Sequence, residues 1–276
     1  MNSMLPLFHW SSNPVAIDLG FLQIRWYGIC WLLAYLGSEF IGRRMFKALG
    51  RSEEEVPLLI TYAFIGTLIG ARLAHCLIYE PVYYGLHPWK IFAIWEGGLA
   101  SHGGALGLII GVYLGMRRLS SKIGLVTLLD IAAVPSALGG ALIRIGNFMN
   151  SEIVGKATDG TYGVIFDQVD SLPRHPVQLY ESAAYLVIFV ILSVLFWRRP
   201  PRVGSGLLAG IFLTTVFVAR TILEHWKMPQ AAYEMDFAFS VGQWLSIPFV
   251  MLGIVLLWRS WHATQIFTAR DRTIKL

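Results

Sequence analysis

Charge-poor apolar runs recur along the chain at residues 18–41, 56–79, 97–116, 123–146, 177–197, 204–223 and 237–258. About twenty such residues cross the hydrocarbon of a bilayer as a helix. No water is available there to satisfy a backbone N–H or C=O, so each run must close its own hydrogen bonds. The expected fold class is therefore an all-α polytopic membrane protein with about seven transmembrane helices. Composition agrees: 55% of the 276 residues are hydrophobic and only 14% charged, with a mean hydropathy of +0.58. A soluble domain carries roughly 25% charge, so this chain has too few polar side chains to coat a globule. No basic aromatic platform suggests nucleic acid, and membrane lipid is the expected surrounding. Cys30 and Cys76 both lie in apolar runs, which points to neither a disulfide framework nor a thiolate metal site.

Fourteen of the 22 basic residues fall in alternate connections: Arg43, Arg44, Lys47 and Arg51; Arg117, Arg118 and Lys122; Arg198, Arg199 and Arg202; Arg259, Arg270, Arg272 and Lys275. The positive-inside rule then puts the N-terminus outside and the C-terminus in the cytoplasm. The opening segment has no basic stretch and no small-residue cleavage site, so it is not read as a removable signal peptide. Residues 1–276 read as a single integral membrane domain. A small outer-face cap at 147–176 is expected between spans four and five, with Gly155, Gly160, Gly163, Pro173 and Pro176 punctuating a β-like run from Tyr162 to Phe166.

Gly103, Gly107, Gly111 and Gly115 repeat every four residues and make a smooth strip for close helix packing, as do Gly66 and Gly70. Pro135 predicts a loosened turn in the fourth span. Ionisable groups at membrane depth are costly and need partners or a function. Here they are Arg72, His102, Asp130, Arg144, Arg220 and Glu224, most of them toward the outer leaflet. Asp130 reads as a structural polar contact. Arg220 and Glu224, four apart, share a helix face and suggest an ion pair.

The strongest local signal is Arg144-Ile-Gly146-Asn147-Phe148-Met149-Asn150-Ser-Glu152 followed by Gly155, a polar cluster at the outer end of a span with no packing rationale. A guanidinium is a forked donor suited to phosphate, and amides can bond ester or glycerol oxygens. A second cluster, Glu96-Gly97-Gly98 through Ser101-His102-Gly103-Gly104, places an imidazole able to serve as a base. A third is His175-Pro176-Val-Gln178-Leu-Tyr180-Glu181.

With Arg25-Trp26-Tyr27-Gly28, Gly70-Ala71-Arg72-Leu73 and Arg220-Thr-Ile-Leu-Glu224, these stretches resemble the prolipoprotein diacylglyceryl transferase family over nearly the whole chain. The resemblance implies an enzyme of the bacterial cytoplasmic (inner) membrane. It would move the sn-1,2-diacylglyceryl group from phosphatidylglycerol to the lipobox cysteine thiol of a preprolipoprotein, forming a thioether and releasing glycerol phosphate. It needs no cofactor and no metal. Tyr27, Arg144, Asn147, Glu152, Gly155, Arg220 and Glu224 then match positions the family uses for binding or catalysis, with His102 also at the centre; the catalytic candidates are Tyr27, His102, Arg144, Asn147, Arg220 and Glu224, and the substrate-binding ones are Arg72, Arg144, Glu152, Gly155 and Tyr180. Arg144 and Arg220 would form a phosphate clamp with Glu224 orienting Arg220, and His102 is the first candidate for the thiol proton. One departure stands out. After Glu224 the family runs on through an Arg, a Pro and an Asp, whereas this chain reads His225-Trp226-Lys227-Met228-Pro229-Gln230, and no role is assigned to that loop or to nearby Glu234 and Asp236.

Two other classes compete. An ion-coupled transporter also carries Arg, Glu and His in spans, but the charges gather at the outer end and no repeat symmetry is visible. An intramembrane serine protease is suggested by Ser101 beside His102, yet adjacent helical residues point about 100° apart and form no dyad. A membrane scaffold remains if every polar cluster is a helix-pairing contact.

Overall fold

The computed structural model describes residues 7–21, 23–94, 98, 100–120, 122–198, 203–228 and 241–273. They form two compact units, residues 1–41 with 125–276, and residues 42–124. Helices occupy all seven expected regions: α1 (Trp26–Ala48), α2 (Glu55–Ala74), α4 (Ser101–Arg118), α5 (Leu125–Met149), α6 (Val177–Arg198), α7 (Leu207–Leu223) and α8 (Val241–Thr273), with a short α3 at Pro81–Leu86. Five stretches are long and apolar enough to cross a membrane: Glu55–Tyr79, Leu125–Met149, Val177–Arg198, Leu207–Trp226 and Gly242–His262. The protein is thus a mostly helical polytopic membrane protein. The other two are helices of different character. α1 carries Glu39, Arg43, Arg44 and Lys47 in its second half, and α4 is 18 residues long and ends on Arg117 and Arg118.

The first predicted span also begins later than its hydropathy suggested. Val15–Asp18 (β2) and Gln23–Arg25 (β3) form an antiparallel hairpin before α1. Gly20 turns it at φ +79°, and the Asp18 carboxylate accepts the Gly20 N–H at 2.8 Å. Apolar composition alone cannot separate such a strand pair from a helix start.

In the unit of residues 42–124, α2 and α4 pack along the predicted glycine strips. A Cβ on Gly66, Gly70, Gly103 or Gly107 would run into backbone carbonyls of the facing helix. Helices in lipid gain association from this close van der Waals contact rather than from apolar burial. Arg72, buried at 3% exposure, gives its guanidinium to backbone carbonyls: Nε to Ile91 at 2.9 Å, Nη2 to Ala93 at 3.0 Å and Nη1 to Gly98 at 3.3 Å. It also lies over the Tyr84 ring. This arginine ties residues 90–93 and Gly98 to α2.

In the other unit, α5, α6, α7 and α8 pack in sequence, and α5 runs helical through Pro135. Ser182 donates to the Ala141 carbonyl at 3.0 Å, tying α6 to α5. Asp130 has no exposed surface and caps α7 from α5. Its carboxylate accepts the N–H groups of Gly204, Gly206 and Ala209 at 2.8, 2.9 and 2.9 Å. Gly204 lies just before the helix, while Gly206 and Ala209 belong to the helix start, whose amides lack intrahelical partners, and the helix dipole favours an anion there. The structural reading of Asp130 holds. Cys30 and Cys76 are both buried and free, as their apolar settings suggested.

The β-like run forms as β4 (Val164–Phe166), in a sheet no local signal announced. Phe8–Trp10 (β1) pairs with it in parallel, and Pro173–Arg174 (β5) pairs antiparallel on its other edge. Trp10 packs at a tilt against Phe148, ring centroids 4.5 Å apart, and donates its indole N–H to the Phe148 carbonyl, so the sheet sits directly on the end of α5. Phe148, Val154, Val164 and Phe166 fill the space beneath.

Replacing Asp130 by Ala would leave three amides at and just before the helix start without their acceptor, at a cost of at least about 2 kcal/mol. The measurement is thermal unfolding in detergent: Asp130→Ala should melt well below wild type, and an unchanged melting temperature refutes the capping role.

Candidate functional site

The site is built at one end of α5. Arg144 and Asn147, three residues apart, share a helix face. Arg144 donates from Nη1 to Asn147 Oδ1 at 3.2 Å, and Asn147, only 4% exposed, donates to Glu152 Oε2 at 3.1 Å. Asn150 holds the other Glu152 oxygen at 3.1 Å. Glu152 reaches back because the chain reverses sharply: Ser151 and Ile153 on either side of it adopt φ of +55° and +54°. A β-branched residue in this region is a true outlier, costing about 1–3 kcal/mol, and such strain concentrates at functional sites. Two bonds fix the reversal. Glu152 N–H reaches the Asn147 carbonyl at 2.9 Å, and Gln178, wholly buried, donates to the Glu152 carbonyl at 2.6 Å.

α6 begins beside this turn and supplies Glu181, which has no exposed surface. Arg144 Nε lies 2.9 Å from Glu181 Oε2. The other Glu181 oxygen is 2.9 Å from Lys227 Nζ, and Lys227 is 3.1 Å from Glu224 Oε2 at the end of α7. A line of alternating charge therefore runs Glu224, Lys227, Glu181, Arg144, and the neutral Asn147 amide relays it to Glu152. Arg144 also bonds Tyr185 of α6, which feels the charge of Arg220 as well. Arg220, one turn before Glu224, is thus brought to the same region. Tyr27, in the first turn of α1, lies on Gly146, where a Cβ would come within 2.9 Å of its ring, so that glycine lets α1 close on the turn carrying Arg144 and Asn147.

Gly155 has a backbone role. It forms an antiparallel bridge with Lys227, its N–H meets the His175 carbonyl at 3.0 Å and its carbonyl accepts Arg174 at 3.1 Å. An added Cβ would clash with His175 and Val177. Lys156 N–H to the Trp226 carbonyl at 2.7 Å extends the seam, which sets where Lys227 stands. Beside the charge line lies a cavity of about 260 Å³ lined by Tyr162, His175, Tyr180, Leu223 and Trp226. Three of these, Tyr180, Leu223 and Trp226, directly precede Glu181, Glu224 and Lys227 in the chain.

Among the predicted residues the structure gathers Tyr27, Arg144, Asn147, Glu152, Gly155, Tyr180, Arg220 and Glu224 at one end of one unit. Arg72 belongs to the other unit, as does His102, which stands in the first turn of α4 with its side chain outside the described residues. Glu96, Glu234 and Asp236 are likewise outside them. Sequence reasoning gave no role to Glu181, although it fell in the third polar cluster, or to Lys227. A single acid in the opening turns of an otherwise apolar 22-residue helix was the available signal for the first; Lys227 lay in the loop set aside as a departure. Among the described residues no group of three or more His, Cys, Asp or Glu side chains is placed to hold a metal ion.

Chemically, the half-buried Arg144 guanidinium, held by a carboxylate, an amide and Tyr185, has donors to spare beyond those contacts. Charges in a low-dielectric setting act far more strongly than in water, so this end of the bundle is suited to bind an anion and stabilise charge building on it.

Comparison with known proteins points the same way. The family model for prolipoprotein diacylglyceryl transferase matches residues 14–259. Relatives named phosphatidylglycerol–prolipoprotein diacylglyceryl transferase include one from Tolumonas auensis, 51% identical over 251 residues, covering 91% of this chain and 96% of the relative. Another, from Chloroherpeton thalassium, is 45% identical over 257 residues, covering 93% and 96%. A third, from Geobacter sulfurreducens, is 38% identical over 249 residues, covering 88% and 94%.

Burial pushes the His175 imidazole at the cavity wall below the usual histidine range, against the pull of the Asp159 carboxylate. Folding thus favours the neutral ring. As pH falls below the unfolded value of about 6.5, the unfolded chain takes up the proton first and stability declines until the depressed folded value is reached. Between about pH 7.5 and about pH 5.5, the melting temperature of His175→Gln should fall less than that of wild type; equal declines refute the assignment.

Proposed function

The chain belongs to the prolipoprotein diacylglyceryl transferase family, and on that membership and the buried charge line we propose that it transfers the sn-1,2-diacylglyceryl group of phosphatidylglycerol to the lipobox cysteine thiol of preprolipoproteins. The enzyme carries out the first step of bacterial lipoprotein maturation. In this reaction a sulfur–carbon bond forms at the glycerol carbon that bears the phosphate. The carbon–oxygen bond to the phosphate breaks, glycerol phosphate leaves with the electron pair, and the thiol proton passes to a base.

The observation that carries this reading is Arg144, held between Glu181 at 2.9 Å and Asn147 at 3.2 Å. These contacts use only part of its five N–H donors, so others are left for an anion. With Arg220 it binds the anionic phospholipid and stabilises charge on the departing phosphate. Asn147, Glu152 and Tyr27 position the glycerol headgroup and the incoming peptide. His102 takes the proton of the thiol, whose ordinary pKa is about 8.5 and whose thiolate is the effective nucleophile. Gly155 sets the seam behind the site, and Tyr180 walls the cavity that opens beside it. Arg72 supports the reading only indirectly, through the segment that its guanidinium holds.

We further place the enzyme in the bacterial cytoplasmic membrane with seven spans, α1 and α4 completing the five apolar ones. The N-terminus is outside, the C-terminus is cytoplasmic, and residues 147–176 form part of a cap over the site. Topology supports the sidedness. Within one unit the end of α5, the start of α6 and the end of α7 come together, while Arg198 closes α6 at its far end. The site then opens to the outer leaflet, where a translocated thiol and a phospholipid headgroup meet.

The test is incubation of the purified protein in detergent with phosphatidylglycerol and a lipobox peptide, following peptide mass and glycerol phosphate. A diacylglyceryl mass gain on the cysteine peptide, absent from a serine peptide, is expected. No gain from a folded preparation that binds the lipid overturns the reading. Arg144→Ala should lower the rate by about 10²-fold or more, and a His102→Gln protein of near wild-type rate would remove His102 as the base.

A further inference from the structure

Lys227 has no part in the reaction as outlined, yet it is the most confined cation near the site. It is 4% exposed, and its ammonium lies 2.9 Å from Glu181 and 3.1 Å from Glu224. Glu181 is wholly buried, and Glu224 is crowded by Gly242, where an added Cβ would sit 2.7 Å from its Oε1. A carboxylate so enclosed cannot lean on water and draws the nearest cation. For Glu181 that cation is Arg144, already 2.9 Å away. For Glu224 it is Arg220, four residues earlier on the same helix and so on the same face. Without Lys227, Glu181 and Glu224 would each lose a cation, and they would draw the further donors of Arg144 and the guanidinium of Arg220 in its place.

We propose that Lys227 is a positioning residue: by satisfying Glu181 and Glu224 together, it leaves Arg144 and Arg220 to the phosphate of the lipid substrate. The inference rests on the transferase reading for the identity of that lipid. A lysine suits the role because a compact ammonium with three rotatable donors can bridge two carboxylates from different helices, where a guanidinium works best as a planar fork on one. Its place is fixed from outside the helices. The Gly155 bridge, Lys156 N–H to the Trp226 carbonyl at 2.7 Å and Met228 N–H to the Val154 carbonyl at 3.3 Å strap residues 226–228 to the turn after α5. The stretch that departs from the family pattern therefore carries the counter-charge of the site.

The experiment compares Lys227→Met, Lys227→Arg and the charge-balanced pair Lys227→Met with Glu224→Gln. It reads KM for phosphatidylglycerol, kcat at saturating peptide, calorimetric affinity for phosphatidylglycerol in neutral detergent, and melting temperature. Lys227→Met should weaken lipid affinity and raise KM by about tenfold or more, the scale of one lost buried charge partner. Lys227→Arg, which keeps the charge but not the compact bridge, should fall between wild type and Lys227→Met. Removing the acid as well should recover part of the affinity that Lys227→Met loses. A Lys227→Met protein with wild-type lipid affinity overturns the proposal. So does a balanced pair no better than the single variant, because a purely structural lysine gains nothing from losing a second partner. If Lys227→Met does not fold, the balanced pair decides alone, and a folded pair without lipid affinity overturns the proposal. Lipid affinity is read independently of turnover. A wild-type protein that binds lipid but modifies no peptide defeats the transferase reading and leaves this comparison standing.

Discussion

A carboxylate without exposed surface, held between two cations, is the constraint around which the site end of the bundle is arranged. Moving one ion from water to a low-dielectric interior costs several kcal/mol even after relaxation, and partners recover this only in good geometry. Glu181 meets that condition with Arg144 and Lys227, each 2.9 Å away on opposite oxygens. Because its partners come from α5 and from the segment after α7, burial of this acid fixes three parts of the chain relative to one another. The same reasoning explains the strained turn: Glu152 can join the line only if the chain reverses within a few residues, and Ser151 and Ile153 adopt left-handed conformations to allow it.

The rest of that unit serves this placement. Asp130 sets the start of α7, which determines where Glu224 ends up at its far end, and Ser182 ties α6 to α5 one residue from Glu181. The three-stranded sheet rests on Phe148, next in the chain to Asn147, through the Trp10 contact. Arg174 anchors the sheet side by pairing with Asp170 and bonding the Gly155 carbonyl. Each contact is local, but together they hold the end of α5 from above and from the side.

Much of this was legible in the sequence for identifiable reasons. Membrane helices announce themselves because lipid imposes one backbone solution on any long apolar run. The Arg144 to Glu152 cluster stood out because polar groups at that depth have no cheap alternative. The hairpin before α1 was not legible, since apolar strands and helices share a composition and differ here by a turn at Gly20. Nor was the partnership of β1 with β4, whose residues lie more than 150 positions apart. Glu181 and Lys227 were hidden differently. Each becomes significant only through the other, and no periodicity links the start of one helix to the loop beyond another.

That last point bears on how such a site tolerates sequence change. A line of alternating charge specifies the sum and spacing of its members more tightly than their identities. A lysine can stand where the family pattern has an arginine, provided the two acids it faces can both reach one ammonium. The backbone seam at Gly155 makes that possible by bringing the 226–228 segment close enough for a single Nζ to lie 2.9 Å and 3.1 Å from acids of two helices. The seam in turn requires a residue without a Cβ, since any side chain at 155 would meet His175 and Val177. Glycine at that position and lysine at 227 are thus two parts of one solution, and neither is explained by the residues next to it in sequence.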